Sequence, residues 1–483
     1  MTGAAVGLDV GTSAAKGVAV AEDGTVLARA ERPYPLFTPH PGWAEQDPRD
    51  WWDAASRVLD DLESAVGPPT GIGLSGQMHG LVTLDAADRP IRPAILWNDQ
   101  RTAAECAEIE QTIGLHRLIR LTGNRALTGF TAPKLLWLRR HEPDAYRRIA
   151  SILLPKDYVR MRLCAEHAID VADASGTLLF DVGARAWSPE VCDALGLDAG
   201  WLPPVLESPE VSGTTDAGVP VAAGAGDQAA AALGAGVVAA GGPASVALGT
   251  SGVVFAALDD YAPDPRARAH TFCHAVPGAW HAMGVTLSAA GSLRWLRDVA
   301  AAGADFDTLA SEAAAWPPGV EGLTFLPYLA GERTPHADPD ARGSFTGLTL
   351  RHDRGALVRA VLEGVACALR DCLDALRATG AAPSSGIVSG GGARSDLWLR
   401  IVASVLELPL ARPAFDEGAA FGAALLGGIA GGVWTHPAEA VAATVRTVRV
   451  IEPVAAWSDA YASLRVRYRA LYPALSTTQE TSA

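Results

Sequence analysis

Two stretches of the chain repeat one pattern. Residues 5–20 read AVGLDVGTSAAKGVAV and residues 244–258 read ASVALGTSGVVFAAL. In each, an apolar run breaks on Gly-Thr-Ser and resumes as a second apolar run, which predicts strand, tight turn, strand. No short-period repeat accompanies them, so solenoids and propellers are excluded. One such unit opening each half of a 483-residue chain predicts two related α/β domains facing each other. The expected domains are residues 1–237 and 238–475, with a disordered tail over 476–483.

Local signals fill in the first half. Asp23-Gly24 between apolar runs predicts a hairpin turn into a third strand. Asp47 suits a helix N-cap, Pro48 the first helical position and Asp50 the favourable first turn. Trp51, Ala54, Ala55, Val58, Leu59 and Leu62 then recur at helical spacing. A short strand, GIGLSG, leads into Gln77-Met78-His79-Gly80, and residues 100–165 are predicted mostly helical. Residues 220–227, PVAAGAGD, read as one strand ending on Asp227. Later, helices are expected over 356–378 and from the end of GIVSGGGARSD to about Leu406.

A formal net charge of −15 excludes a nucleic-acid partner, because a phosphate backbone demands a basic face. A bound nucleotide would therefore need local donors and a metal to hold it. The six cysteines (106, 164, 192, 273, 367 and 372) form no C-x-x-C and read as reduced thiols of a cytoplasmic protein. The N-terminus lacks the basic, apolar and cleavage-site order of a signal peptide. Gln228–Leu258 carries no formal charge and is long enough to span a bilayer. It is built from Ala and Gly and interrupted by Pro243 and two turns, so tight helix-to-sheet packing is expected and no membrane partner.

Four features point to chemistry. The turn Gly11-Thr12-Ser13 aims successive backbone N–H groups into one concavity suited to phosphate oxygens. Asp9 beside it would repel phosphate unless a divalent cation, commonly Mg²⁺, lay between them. Gly249-Thr250-Ser251-Gly252 has the same donors and no carboxylate. Gly390-Gly391-Gly392 lets backbone approach a flat ligand or sugar closely, or simply makes a tight turn. Asp227 stands where a strand meets a helix; it reads equally as a catalytic carboxylate or as an N-cap. There is no G-x-x-x-x-G-K-[S/T], and no full G-x-G-x-x-G with a later acidic residue, so a P-loop and a dinucleotide fold are disfavoured.

The order of these four features resembles the actin/hexokinase-type ATPase superfamily and, within it, the FGGY carbohydrate kinases. The resemblance covers nearly the whole chain and is closest to the xylulokinase branch: WAEQDPRDWW, SGQMHG, AILWNDQR, GFTAPKLLW, LLPKDY, FCHAVPG and YLAGERTPH read like it. It implies ATP-dependent phosphorylation of D-xylulose with Mg²⁺, a ligand cleft between two ribonuclease H-like domains, and a possible homodimer. It further implies that Asp9 and Asp227 serve the metal, and that Gly11, Thr12, Ser13, Lys16 and Gly249–Gly252 contact phosphates. Gly391, Gly392 and Asp396 would line the adenosine pocket, and Asp227 would be the general base. The resemblance extends to GERTPHADPDARG at 331–343, which reads as a family signature or as a structural loop at the cleft rim.

Substrate contacts are implied at Gln77, Met78, His79, Trp97, Asn98 and Gln228, with Trp97 open to reading as a core residue instead. The related glycerol kinases carry Gln-Arg-Glu where this chain has Gln77-Met78-His79, which counts against glycerol. Many xylulokinases carry Asp-Asn where this chain has Asp227-Gln228, so another pentulose or polyol remains an alternative. A chaperone-like or filament-forming ATPase of the same superfamily is the rival from a different class.

Overall fold

The structure is a computed structural model, and it describes residues 3–414 and 417–480. The first repeat forms β1 (Ala5–Val10) and β2 (Ala14–Val20), and the Asp23-Gly24 turn leads to β3 (Val26–Pro33). Helix α1 (Pro48–Val66) starts as its signals require: the Asp47 carboxylate accepts from the Arg49 amide at 2.9 Å, and Trp51, Ala54, Ala55, Val58 and Leu62 are buried. β4 (Gly71–Gly76) pairs parallel with β1.

Residues 103–164 hold four helices of eight or more residues, among them α2 (Thr131–His141). β5 (Val211–Thr214), β6 (Pro220–Ala222) and β7 (Ala225–Gly226) complete the sheet in the order β5-β6-β4-β1-β2-β3, with β7 also beside β4. The single strand expected over 220–227 is thus two. Gly224 breaks it at φ 89°, where an added Cβ would lie 2.3 Å from the Leu74 carbonyl oxygen. Helix α3 (Asp227–Gly234) follows at once.

The second repeat builds the second sheet from β8 (Pro243–Leu248) and β9 (Gly252–Leu258). β10 (His270–Cys273), β11 (Trp280–Thr286), β12 (Ser385–Ser389), β13 (Leu410–Pro413) and β14 (Thr447–Ile451) join it in the order β10-β11-β9-β8-β12-β13-β14. Leaving out β7 and β10, the two sheets share one order and one set of directions: β3-β2-β1-β4-β6-β5 corresponds to β11-β9-β8-β12-β13-β14. The charge-free stretch 228–258 is helix, turn and two strands inside this architecture, and among the described residues no helix is long and apolar enough to cross a membrane.

Helix α4 (Arg354–Arg377) is buried along most of its length in the second core, and α5 (Asp396–Leu406) packs beside it. Helix α6 (Gly418–Ala430) returns to the first sheet. Its contacts are backbone to backbone: a Cβ at Gly7 would lie 2.0 Å from the Ala420 carbonyl oxygen, and one at Gly73 would lie 1.9 Å from that of Ala423. Gly422 meets α3 in the same way, 1.8 Å from the Ala230 carbonyl oxygen. Helix α7 (Ser458–Glu480) ends the description, so residues 476–480 of the expected tail are helical and 481–483 lie outside the described residues.

Because α3 and α6 touch through backbone, Gly422→Ala must push two helices apart, at a cost of about 1–3 kcal/mol or more. Gly391, where an added Cβ meets nothing within 4 Å, is the control. Gly391→Ala is expected to change stability by less than about 0.5 kcal/mol in the same urea titration.

Candidate active site

Three parallel strands end together. Asp9 on β1 lies in register with Ser75 on β4, and Ser75 with Ala225 on β7. One step further, Val10 pairs with Gly76 and Gly76 with Gly226. The residues leaving this edge are therefore Gly11, Gln77 and Asp227, the carboxyl-end crevice where open α/β sheets bind ligands.

Asp9 and Asp227 both sit in this recess, partly exposed. Ser75 donates its hydroxyl to Asp9 at 3.2 Å. Enclosure nevertheless pushes the Asp9 carboxyl up to about 6, against the opposing effects of Ser75 and Lys16. Asp227 rises to about 7 through enclosure and then the charge of Asp9, with the Gln228 side chain and amide favouring the ionised form. Gly226 is the N-cap residue, so Asp227 sits in the first turn of α3 rather than capping it. Two carboxylates short of counter-charge therefore face one recess. Lys16 lies opposite Asp9 in register but is more than half exposed, 3.6 Å from Glu31.

The first glycine turn is held from below. Tyr34 donates its hydroxyl to the Gly11 carbonyl. Gln46 donates to the carbonyls of Thr12 and Pro35 at 2.8 and 3.1 Å. Gln77 donates to the Gly11 carbonyl at 3.3 Å and to Gln46 at 2.9 Å, leaving its own side-chain oxygen buried without a partner. Gln77 thus braces the turn. Trp97 is 42% exposed and donates its indole N–H to the Thr12 hydroxyl at 3.0 Å, so it belongs to the site rather than to the core. Asn98 keeps a buried side-chain oxygen without a partner, whereas Asp99 is spent on the Ala44 amide and Arg101.

Met78 and His79 flank Asp227. A Cβ at Gly226 would lie 2.8 Å from the Met78 side chain, so the thioether packs beneath the residue before Asp227. His79 adopts φ 69°, and its carbonyl is held by Thr131 at 3.1 Å and by the buried Lys134 at 2.8 Å, both on α2. Burial lowers the Lys134 ammonium to about 7. The His79 Nδ1 lies 2.8 Å from the Gly176 carbonyl oxygen. A carbonyl only accepts, so Nδ1 donates, and burial together with Lys134 holds the imidazole neutral. Nε2 is left as an acceptor.

Beneath these turns lies a fully buried ion cluster. Lys156 reaches Asp157, Asp170 and Asp173 at 2.5, 2.6 and 3.1 Å. Its Cβ lies 3.1 Å from where a Cβ at Gly76 would be, and Asp173 stands 2.8 Å from the equivalent point at Gly226. The cluster thus backs the two strand ends that carry Gln77 and Asp227.

The second sheet repeats the arrangement. Thr250 and Ser251 are exposed, and amides of residues 289–291 take the carbonyls of Gly249 and Thr250 at 2.8–3.1 Å. Gly390 abuts this turn: a Cβ there would lie 2.9 Å from the Leu248 carbonyl oxygen and 3.1 Å from the Gly249 nitrogen. The second and third glycine runs therefore form one surface. The Asp396 carboxylate is paired with Arg412 and Arg449 at 2.9 and 2.6 Å, neutralising two arginines that are cross-strand neighbours. Tyr34, Gln46, Ser75, Lys134 and Lys156 went unassigned in the sequence reading. Gln46, Ser75, Lys134 and Lys156 do lie inside phrases that carry the family resemblance.

Comparison with known proteins identifies the family. The N-terminal domain model of the FGGY family of carbohydrate kinases matches residues 4–234, and its C-terminal domain model matches 244–431. The chain is 44% identical over 437 residues to a xylulose kinase of Escherichia coli, covering 88% of this chain and 90% of that one. It is 36% identical over 481 residues to a xylulose kinase of Bacillus subtilis, covering 97% and 96%. The crystal structure of a xylulose kinase from Rhodospirillum rubrum superposes with a TM-score of 0.93 at 34% identity, covering 98% of this chain and 99% of that one. The chain therefore belongs to the FGGY family of carbohydrate kinases and is an ATP-dependent sugar kinase.

Proposed function

We propose that this enzyme phosphorylates D-xylulose, giving D-xylulose 5-phosphate, with Asp227 as the general base. The observation that carries the chemistry is the shared recess of Asp9 and Asp227 at the ends of β1 and β7, beside Met78 and His79. Relatives named xylulose kinase, similar along almost the whole chain, carry the choice of sugar.

The recess fits Mg²⁺. Among the described residues neither carboxylate forms an ion pair, and no group of three or more His, Cys, Asp or Glu would hold a metal alone. One or two carboxylates plus phosphate oxygens and water is the usual environment of this ion. Asp9 would hold it with Asp227 nearby; when bound, it neutralises charge on the transferring phosphoryl group. Gly11–Ser13 and Lys16 serve the phosphates from the first domain and Gly249–Gly252 from the second. Gly391 offers bare backbone to adenosine, whereas Gly392 is buried against Leu248 and the Trp398 ring and supports it from behind.

Asp227 takes the proton of the sugar's terminal hydroxyl as that oxygen attacks the γ-phosphorus in line. A loose transition state needs positioning and charge neutralisation more than covalent help. Gln228 keeps Asp227 oriented, Met78 packs against the carbon chain, and the Nε2 of His79 accepts from a hydroxyl further along it. Trp97 and Asn98 close the same side. Closure of the two domains over bound sugar excludes water, the competing nucleophile.

Asp227→Asn keeps shape and removes the base, so kcat with D-xylulose is expected to fall about 10²–10⁴-fold while ATP affinity changes little. His79→Asn, which tolerates the same backbone, is expected to raise the sugar KM about tenfold and leave the ATP KM unchanged; equal effects on both would place His79 elsewhere. An elevated carboxyl accepts protons only above its pKa, so kcat/KM for sugar rises with pH through about 7 and then levels. That limb moves to lower pH as Mg²⁺ is raised, because the cation favours the ionised form; a limb indifferent to Mg²⁺ contradicts the reading. In a panel with D-ribulose, L-ribulose, xylitol and glycerol, D-xylulose is expected to give the highest kcat/KM.

A further inference from the structure

The segment Gly331-Glu332-Arg333-Thr334 is pinned to β11 on both sides of its arginine. Glu332 accepts from the Thr286 hydroxyl at 2.7 Å and from the amides of Leu287 and Arg333 at 3.2 and 2.7 Å. Its backbone also exchanges two 2.8 Å hydrogen bonds with Asp338. Thr334 donates its amide to the Val285 carbonyl at 3.0 Å, while its hydroxyl accepts from the Val285 amide and donates to the Arg268 carbonyl. Arg333 stands between these anchors. Among the described residues its guanidinium has no hydrogen bond and no ion pair, although it is partly buried.

A half-buried guanidinium with no acceptor on the protein keeps its donors free for a ligand. Its charge bears on two imidazoles, His79 of the first domain and His270 of the second, and helps hold both neutral. These two belong to one aromatic wall across the domains. His79 and His270 each meet Phe130, at 4.7 and 6.1 Å, and each meet Phe272, at 6.2 and 5.7 Å. Thr334 is bonded to the Arg268 carbonyl, two residues before His270, so the second domain brings Arg333 to the His270 end of this wall, across from His79.

Orientation of the sugar follows from the first domain. Met78 packs beside Gly226, so the reacting hydroxyl lies at Asp227 and the chain runs outward to His79. With the 5-hydroxyl at Asp227, the end that meets His79 carries the C2 carbonyl. The imidazole there offers an acceptor, and a guanidinium offers only donors; a carbonyl oxygen has lone pairs and no hydrogen to place.

We propose that Arg333 is a specificity residue contributed by the second domain, donating charge-assisted hydrogen bonds to the ketose carbonyl and so favouring a 2-ketose over its reduced polyol. This rests on D-xylulose being the substrate. The test compares kcat/KM for D-xylulose and for xylitol, which lacks only the carbonyl, in the unaltered enzyme, Arg333→Met and Arg333→Lys.

Arg333→Met is expected to lose about a hundredfold on D-xylulose, the range for a hydrogen bond to a charged group, and less than about threefold on xylitol. Arg333→Lys is expected to recover part of the discrimination. Equal losses on both sugars, or no loss on either, overturn the inference. If Arg333→Met fails to fold, the ratio of the two sugars in Arg333→Lys decides in the same sense. Absence of D-xylulose turnover by the unaltered enzyme would instead overturn the substrate reading, and this inference with it.

Discussion

Two carboxylates that repel one another in an enclosed recess are the constraint from which the rest of this molecule follows. Asp9 and Asp227 are far apart in the chain and meet only because β1, β4 and β7 run parallel and stop in register. Enclosure raises both, to about 6 and about 7, and the charge of Asp9 adds to the rise at Asp227. Such a pair is uncomfortable without a cation and well suited to one. The same enclosure holds the Asp227 carboxyl near neutrality, the range that the proposed general base needs.

Duplication supplies the other half of the site. The second sheet repeats the strand order of the first, and its Gly-Thr-Ser turn occupies the equivalent place between β8 and β9. It carries no carboxylate, and Gly390–Gly392 at the end of β12 packs against it, leaving a surface of backbone. One domain thus carries the two carboxylates, and the other presents backbone. They are joined by α3 and α6, which approach so closely that only glycine fits at residue 422.

Much of this was legible along the chain. The duplicated unit predicted two α/β halves, Asp47-Pro48 predicted the start of α1, and Gly226-Asp227-Gln228 marked a junction of strand and helix. These signals are local: a turn, a cap, a periodicity. What escaped depends on contacts between distant residues. Nothing near Tyr34 announces that its hydroxyl holds Gly11, and nothing near Lys134 announces that its ammonium holds the carbonyl of His79. Asp396 was expected at the adenosine pocket, and its pairing with Arg412 and Arg449 escaped because those arginines lie on strands whose pairing no local pattern shows. Gly224 hid a strand break because the clash it avoids involves the backbone of Leu74.

The central claim concerns where one carboxylate points when both substrates are present. A crystal structure with D-xylulose, a non-hydrolysable ATP analogue and Mn²⁺ in place of Mg²⁺ tests it directly. The account predicts Mn²⁺ between Asp9 and the nucleotide phosphates, and an Asp227 oxygen within about 2.6–3.2 Å of the sugar's terminal hydroxyl. A different side chain at that hydroxyl, with Asp227 turned away from the sugar, would contradict it.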